Sequence, residues 1–451
     1  MSGDGSLEAR FDRACGILLD SLEAGEALSL EFSGEDSIFL RFNAGKVRQI
    51  GSVVNSAVRF RLYREGRTLT YWASLGGKPE EDSVRLRAAL ARARADSALL
   101  PVDSFQTLPS ASDTSREEYP GSLPDPYRLP DLVLAPADRL AAANAEFVGI
   151  HIQGEVCRGS ASTAGARHWF ATRTFGTDWS AFLPNGKALK SCYAGRRWDA
   201  EEWERRLAAE EIRLAALDKP EKVLSPGRYR AYLDPEALAE FLVFFSWYGL
   251  SERSLREGES AWASLQDGVR SLSGKFSLSQ DFTLGVQPRF NELGETAPAV
   301  LPLVEGGRLV NTLISAKSAL LFGAVSNAAP DSENLRSPVI AAGDLQEENI
   351  LAALGTGLYI PNLHYLNWSD YDSARVTGMT RFACLWVENG RPVCPIRDMR
   401  FDESLYNLWG SELEAVTRNR NLVAETHTYN ERALGGALLP GMLVRSLTLT
   451  L

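Results

Sequence analysis

The sequence predicts an α+β protein in which helices pack on an N-terminal antiparallel meander and antiparallel strands dominate the C-terminal half. Three observations carry this. Period-two alternation runs from Leu28 to Ser74, amphipathic helices flank it at residues 7–22 and about 79–99, and short strand-like runs fill most of the chain after Pro226. A barrel-like or a sandwich-like C-terminal region fits that pattern equally. The length of 451 residues calls for more than one core. A division into an α+β domain at 1–220 and a mainly β domain at 221–451 is expected.

The first helix places Phe11, Cys15, Leu18, Leu19 and Leu22 on one face, with Gly25 as its expected C-terminal stop. In the meander, Val58, Phe60 and Leu62 alternate with Arg59, Arg61 and Tyr63, which predicts one wet face. Asn43-Ala44-Gly45 and Glu65-Gly66 supply the turns. The second helix carries Val84, Leu86, Ala89, Leu90 and Ala93 as its stripe. Arg85, Arg87, Arg92 and Arg94 between them read as a solvated face rather than an anion patch.

Seven prolines between Pro101 and Pro136 disfavour both helix and central strand, so this stretch reads as a linker or long surface loop. Leu140–Ala145 reads as helix and residues 147–195 as several strands. Asp199 then caps a helix with Glu202 three positions on. Trp203, Leu207, Leu214 and Leu217 form its buried stripe, and Glu201–Arg205 and Glu202–Arg206 are i,i+4 pairs. Beyond Pro226 come an apolar helix at about Asp234–Tyr248 and a terminal strand, Leu443–Leu451. In that strand Leu447, Leu449 and Leu451 oppose Ser446, Thr448 and Thr450. LVEGGRLV at 303–310 and WVENGRPV at 386–393 each predict a two-residue hairpin loop, read as convergent turn chemistry rather than an internal repeat. With Asn389-Gly390 as the turn, Leu385 faces Cys394 and Cys384 faces Pro395, so the two thiols do not bridge.

The chemistry is bounded mostly by what is missing. Forty-eight Lys plus Arg against 58 Asp plus Glu give a net charge of −10, which argues against a nucleic-acid partner. Five cysteines without a CxxC pair indicate neither a disulfide framework nor a Cys-rich zinc module. The acidic N-terminus lacks a secretion signal, and no apolar run reaches the roughly 20 residues that span hydrocarbon. A cytoplasmic protein without membrane contact is expected. The histidines are His151, His168, His364 and His427, too far apart for a zinc helix, which needs two imidazoles on one face beside a glutamate. His364, Asp370, Asp372 and Cys384 are ligand types within 21 positions, but they have no diagnostic spacing. The sequence has no GxSxG elbow. GVRSLSGKF at 268–276 has the wrong glycine spacing for a phosphate loop, and Glu236 and Glu240 share a helix face as acids do often in so acidic a chain.

The order of pieces resembles the TldD/PmbA family, the modulator of DNA gyrase group. The opening meander, SIFLRFNAGKVRQIGSVVNSAVRFRLYREGRTLTYWAS, supports the resemblance. PLVEGGRLVNTLISAKSALLFG, SNAAP and the run from GTGLYIPNLHYLNWSDYDSARVTGMTRF to SLYNLWG carry most of it. In that family a TldD-like subunit bears an HExxxH helix and is the metallopeptidase, while a TldE or PmbA-like relative lacks the motif and pairs with it. The corresponding segment here, DPEALAEFLVFFSWYGLSERSLREGESAW at 234–262, has no histidine. FNELGE at 290–295 and TGMTR at 377–381 also depart from the family's more usual runs. The resemblance therefore implies a non-catalytic TldE-like subunit, with zinc in a TldD-like partner and unfolded peptide as substrate. No catalytic or metal residue is assigned to this chain. Leu363–Arg381 is the candidate peptide groove or partner interface, with His364, Tyr365, Arg375, Thr377, Gly378 and Arg381 its named points, though an ordinary surface loop fits them as well. The ten tryptophans read as core more than as groove walls. A stand-alone homodimeric binding protein is the alternative, and a hydrolase with a non-standard metal site at His364 a third.

Overall fold

The computed structural model describes residues 5–142, 144–429 and 431–450. Two large sheets organise it. The first is built from β1 (Glu26–Asn43), β2 (Lys46–Arg64), β3 (Arg67–Ser74), β4 (Thr114–Tyr119), β5 (Glu146–Ser162), β6 (Arg167–Phe182) and β7 (Ala188–Gly195). Its order is β3-β2-β1-β5-β6; β4 and β7 share the outer edge of β6, β4 parallel to Arg167–Thr172 and β7 antiparallel to Phe175–Phe182. Helices α1 (Leu7–Leu19), α2 (Pro79–Ser97), α3 (Leu129–Ala142) and α4 (Ala200–Leu217) accompany it. Phe11, Cys15 and Leu18 of α1 and Leu86, Leu90 and Ala93 of α2 bury against Leu28, Leu30, Phe32, Phe60 and Leu62. That apolar burial is the main stabilising term of this half.

Several details differ from the sequence reading, each for a local reason. Helix α1 ends at Leu19 with Asp20 as its cap, and Gly25, at φ 83°, instead turns the chain into β1. The outer face of the meander is not uniformly wet. Tyr63 is buried beside the Ser29 hydroxyl at 3.3 Å, and Arg61 reaches Asp331 of the second half at 2.9 Å. In α2, Asp82 takes the buried slot and accepts from the Gly76 and Gly77 amides, leaving Val84 70% exposed. The proline-rich stretch contains β4, which lies at an edge and ends before Pro120. It also contains the start of α3, eleven residues ahead of Leu140: Pro130 falls in the first turn, where no amide hydrogen is needed, and Pro136 sits inside the helix. Asp199 caps α4 through the Glu201 and Glu202 amides. Arg206 pairs with Glu202 at 2.6 Å as expected, whereas Arg205 bonds Glu202 and Glu347.

The second sheet holds β8 (Gly227–Leu233), β9 (Leu278–Asp281), β10 (Val300–Glu305), β11 (Arg308–Leu309), β12 (Pro338–Ile340), β13 (Gly357–Ile360), β14 (Asn362–Asp370), β15 (Arg375–Arg381), β16 (Leu385–Glu388), β17 (Arg391–Pro395), β18 (Arg400–Ser404), β19 (Leu413–Ala424) and β20 (Gly436–Leu449). Helix α5 (Pro235–Ser246) packs against β14, β19 and β20. The sheet is mostly antiparallel, with parallel pairs β12·β20 and β8·β13, and does not close into a barrel. Its core gathers Phe241, Phe244, Phe245, Trp262, Phe276 and Trp409, with the Phe245 and Trp262 rings stacked at 4.4 Å.

Both predicted hairpin loops form, on Gly306-Gly307 and on Asn389-Gly390 with positive φ throughout. The register of the second is displaced: a bulge after Trp386 makes Leu385 face Pro395 and Trp386 face Cys394. All five cysteines are free. The terminal strand begins at Gly436, earlier than the alternation suggests, and its polar side is partly covered: buried Ser446 accepts from Arg228, and half-buried Thr448 donates to Glu403. Leu451 lies outside the described residues. No helix among the described residues is long and apolar enough to cross a membrane.

Candidate functional site

Helix α5 floors a cleft lined by acidic, basic and thiol side chains. Pro235 sits at its first turn, and Ala237, Leu238, Phe241, Phe244 and Phe245 turn inward. The remaining stripe, Glu236, Ala239, Glu240 and Val243, faces a cavity of about 560 Å³. The opposite wall comes from the first sheet, as Asp178 of β6 and Lys190 and Cys192 of β7. The segment after β19 adds Glu425 and His427. Lys190 pairs with Asp178 at 3.4 Å, and the Cys192 thiol donates to Glu236 Oε1 at 3.4 Å. Burial pushes the Glu240 carboxyl up, with Lys190 pulling the other way. At the rim, Arg336 is spent on main-chain carbonyls, donating to Phe290 O at 2.7 Å and Ala328 O at 3.0 Å; burial brings its pKa down to about 10.

Glu236 separates this cleft from a second cavity of about 230 Å³, which lies between α4 and the β8–β13 pair. Arg213 of α4 reaches across it. Its guanidinium binds Glu210 one turn back on the same helix and Asp234 Oδ2 at 3.1 Å, and the Tyr359 hydroxyl donates to the same Asp234 oxygen at 2.6 Å. Burial is the largest influence on Glu210 and outweighs Arg213, raising its pKa to about 7. Asp234 and Glu236 shift upward for the same reason.

The residues singled out in the sequence fall into two places. His364, Tyr365 and Arg381 line one cavity of about 630 Å³ beside Lys187 and Asp398. Tyr365 sits at a bulge in β14 with φ 55°, its ring centroid 3.7 Å from that of His364, and Phe382 and Ala383 follow Arg381 with φ of 49° and 50°. Left-handed backbone at three non-glycine residues around one cavity is uncommon and costs on the order of 1–3 kcal/mol each. Arg375, Thr377 and Gly378 belong instead to the β15–β18 pairing. Arg375 binds Asp402 at 2.7 Å, Thr377 donates to Phe401 O at 2.8 Å, and Gly378 lies against the Phe401 ring.

Cys384 lines the His364 cavity, with its thiol directed at the Arg381 and Asn362 carbonyls and pushed up to about 12 by burial. Asp370 caps the β14–β15 turn at Ser373. Among the described residues no three His, Cys, Asp or Glu side chains gather so as to hold a metal ion. His151 and His168 are core groups, bonded to Thr177 and Gln153 and to Ser115 and Gly294 O respectively. Trp169, Trp179, Trp203, Trp262 and Trp409 are core as well, while Trp72 and Trp247 are exposed. Sequence reasoning missed Lys190, Cys192, Glu210, Arg213, Asp234 and Tyr359. The i,i+4 spacing of Glu236 and Glu240 was the one available pointer.

Two large sheets with helices packed on them define an α+β class, and several solved structures share this fold. TldE from Thermococcus kodakarensis aligns with a TM-score of 0.75 over 94% of this chain and 96% of its own, at 14% identity. A candidate modulator of DNA gyrase from Thermotoga maritima aligns at 0.73 over 99% and 100%, at 15% identity. Another from Bacteroides thetaiotaomicron aligns at 0.71 over 98% of both chains, at 14% identity. At these identities the likeness concerns the fold alone. Residues 226–451 match the model of the PmbA/TldA metallopeptidase C-terminal domain, and the chain belongs to that family. A search among curated proteins gives no match.

Proposed function

We propose that this chain is the non-catalytic, TldE-like subunit of a two-subunit cytoplasmic metallopeptidase acting on unfolded peptides. One observation supports the reading: α5, which belongs to the segment that the resemblance sets against the HExxxH helix of TldD-like relatives, presents Glu236 and Glu240 to the cleft and contains no histidine. Two imidazoles on one helical face are what would grip zinc there and let a neighbouring glutamate take the proton of bound water. In this reading a TldD-like partner supplies the zinc and the general base. This chain supplies part of the enclosing wall and strand edges to which an extended peptide adds by backbone hydrogen bonding, with little regard to its sequence.

Coexpression with an HExxxH relative, followed by pull-down and casein cleavage by each subunit alone and mixed, tests this. Cleavage only by the mixture, abolished by a chelator, is expected. Chelator-sensitive cleavage by this chain alone overturns the reading. A stable homodimer that never captures the relative favours a stand-alone binding protein instead.

A further inference from the structure

The smaller cavity carries an electrostatic deficit. Four carboxyl groups, Glu210, Asp234, Glu236 and Glu347, line it against three guanidiniums, of which Arg213 is the one bound to Glu210 and Asp234. Of the other two, Arg206 is occupied by Glu202 at 2.6 Å and by the Asn421 amide oxygen at 2.8 Å, and Arg205 by Glu202 and Glu347. Three neutral donors come to the group: the Tyr359 hydroxyl to Asp234, the Cys192 thiol to Glu236, and the Ser191 hydroxyl, which approaches Glu210. None brings charge. Glu210, whose residue is 1% exposed, has no partner for Oε2 at full hydrogen-bond geometry, beside a cavity of about 230 Å³. A buried acceptor left unmade is costly, and uncompensated carboxylates in a dry site must gain protons or a cation.

We propose that this cavity is a binding site for a primary ammonium group, with Glu210 Oε2 and Glu236 as its acceptors and the Tyr232 and Tyr359 rings as its walls. A primary ammonium offers three donors and one positive charge, which fits a site with acceptors to spare and excess negative charge. Aromatic walls favour a cation further. The available volume suits a short alkyl amine rather than a large ligand. A metal ion fits less well, since no three ligating side chains here gather with metal geometry among the described residues. This inference is independent of the two-subunit reading and stands or falls on the single chain.

The same chemistry could arrive as a peptide α-ammonium or as a lysine side chain. Isothermal titration of the full chain with n-butylammonium chloride and, as the isosteric neutral probe, n-butanol decides the site. Saturable butylammonium binding is expected, at least tenfold tighter than butanol, with a further tenfold loss in Glu210→Gln. Trialanine and acetyl-lysine amide then separate the two sources. No saturable butylammonium binding, equal binding of butanol, or undiminished binding by folded Glu210→Gln each overturns the proposal. Should Glu210→Gln fail to fold, the discrimination between amine and alcohol by the unaltered chain still decides.

Discussion

Tyr359 donates a 2.6 Å hydrogen bond to Asp234 Oδ2, the oxygen on which Arg213 also closes at 3.1 Å. Tyr359 lies on β13 and Asp234 at the junction where the parallel neighbour β8 passes into α5, whereas Arg213 arrives from the last helix of the first half. One carboxylate thus fastens three segments distant in sequence. Removing the guanidinium strands both Asp234 and Glu210 in a dry site. Arg213→Met is expected to lower unfolding stability by about 3–5 kcal/mol, measured by urea denaturation.

Glu210 makes stability depend on pH in an uncommon direction. Its pKa rises from 4.5 to about 7 on folding, so the folded state holds the proton longer. The contribution is complete below about pH 4.5 and is lost as pH rises through 7, amounting to roughly 3 kcal/mol. Glu210→Gln is expected to flatten the stability profile between these values. An unchanged slope in chemical denaturation across that range would contradict the assignment.

His151 acts with the opposite sign. Burial is the largest influence and depresses its pKa from 6.5 to about 4, although the Gln153 hydrogen bond pulls upward. The folded state therefore excludes a proton that the unfolded chain accepts. Stability is retained above pH 6.5 and falls by roughly 3 kcal/mol as the medium is acidified to 4. NMR titration of the ring should show His151 neutral at pH 5.5, where an ordinary imidazole is mostly charged.

Gly378 is expected to matter for packing rather than for peptide contact. A Cβ there would lie 2.7 Å from the Phe401 ring and 2.9 Å from Leu366. Gly378→Ala should cost about 1–3 kcal/mol in thermal or urea unfolding. In a mixed-subunit assay below the melting transition, activity per folded molecule should be unchanged.

Arg432 is buried in the first sheet, donating to Thr174 O at 3.0 Å and Gly154 O at 3.3 Å, while its own amide donates to Glu35 at 3.2 Å. Arg432→Ala should destabilise by about 2–4 kcal/mol and expose the segment between β19 and β20 to limited proteolysis.

The elements legible from sequence were those whose own pattern decides them. Val58, Phe60 and Leu62 alternate because one face of β2 is core, and Asn389-Gly390 turns because both residues accept positive φ. What escaped was settled by distant partners. Nothing local marks Tyr63 as buried, since Ser29 is 34 positions away, or Arg61 as an inter-half ion pair. The register near Cys394 depends on a bulge that two-residue turn logic does not contain. The site followed the same division. His364, Tyr365 and Arg381 are close along the chain and were visible together. Glu210, Arg213, Asp234 and Tyr359 converge from three elements and left only the pair Glu236 and Glu240 as a trace.

The arginine planted in the first sheet bears on how the cleft above α5 works. Because the chain between β19 and β20 leaves the second sheet, inserts Arg432 among the carbonyls of β5 and β6, and returns, swinging the halves apart would drag a dehydrated cation out of its socket. Opening the cleft like a pair of jaws would carry that cost, so Arg432 favours a slot whose width is set at folding.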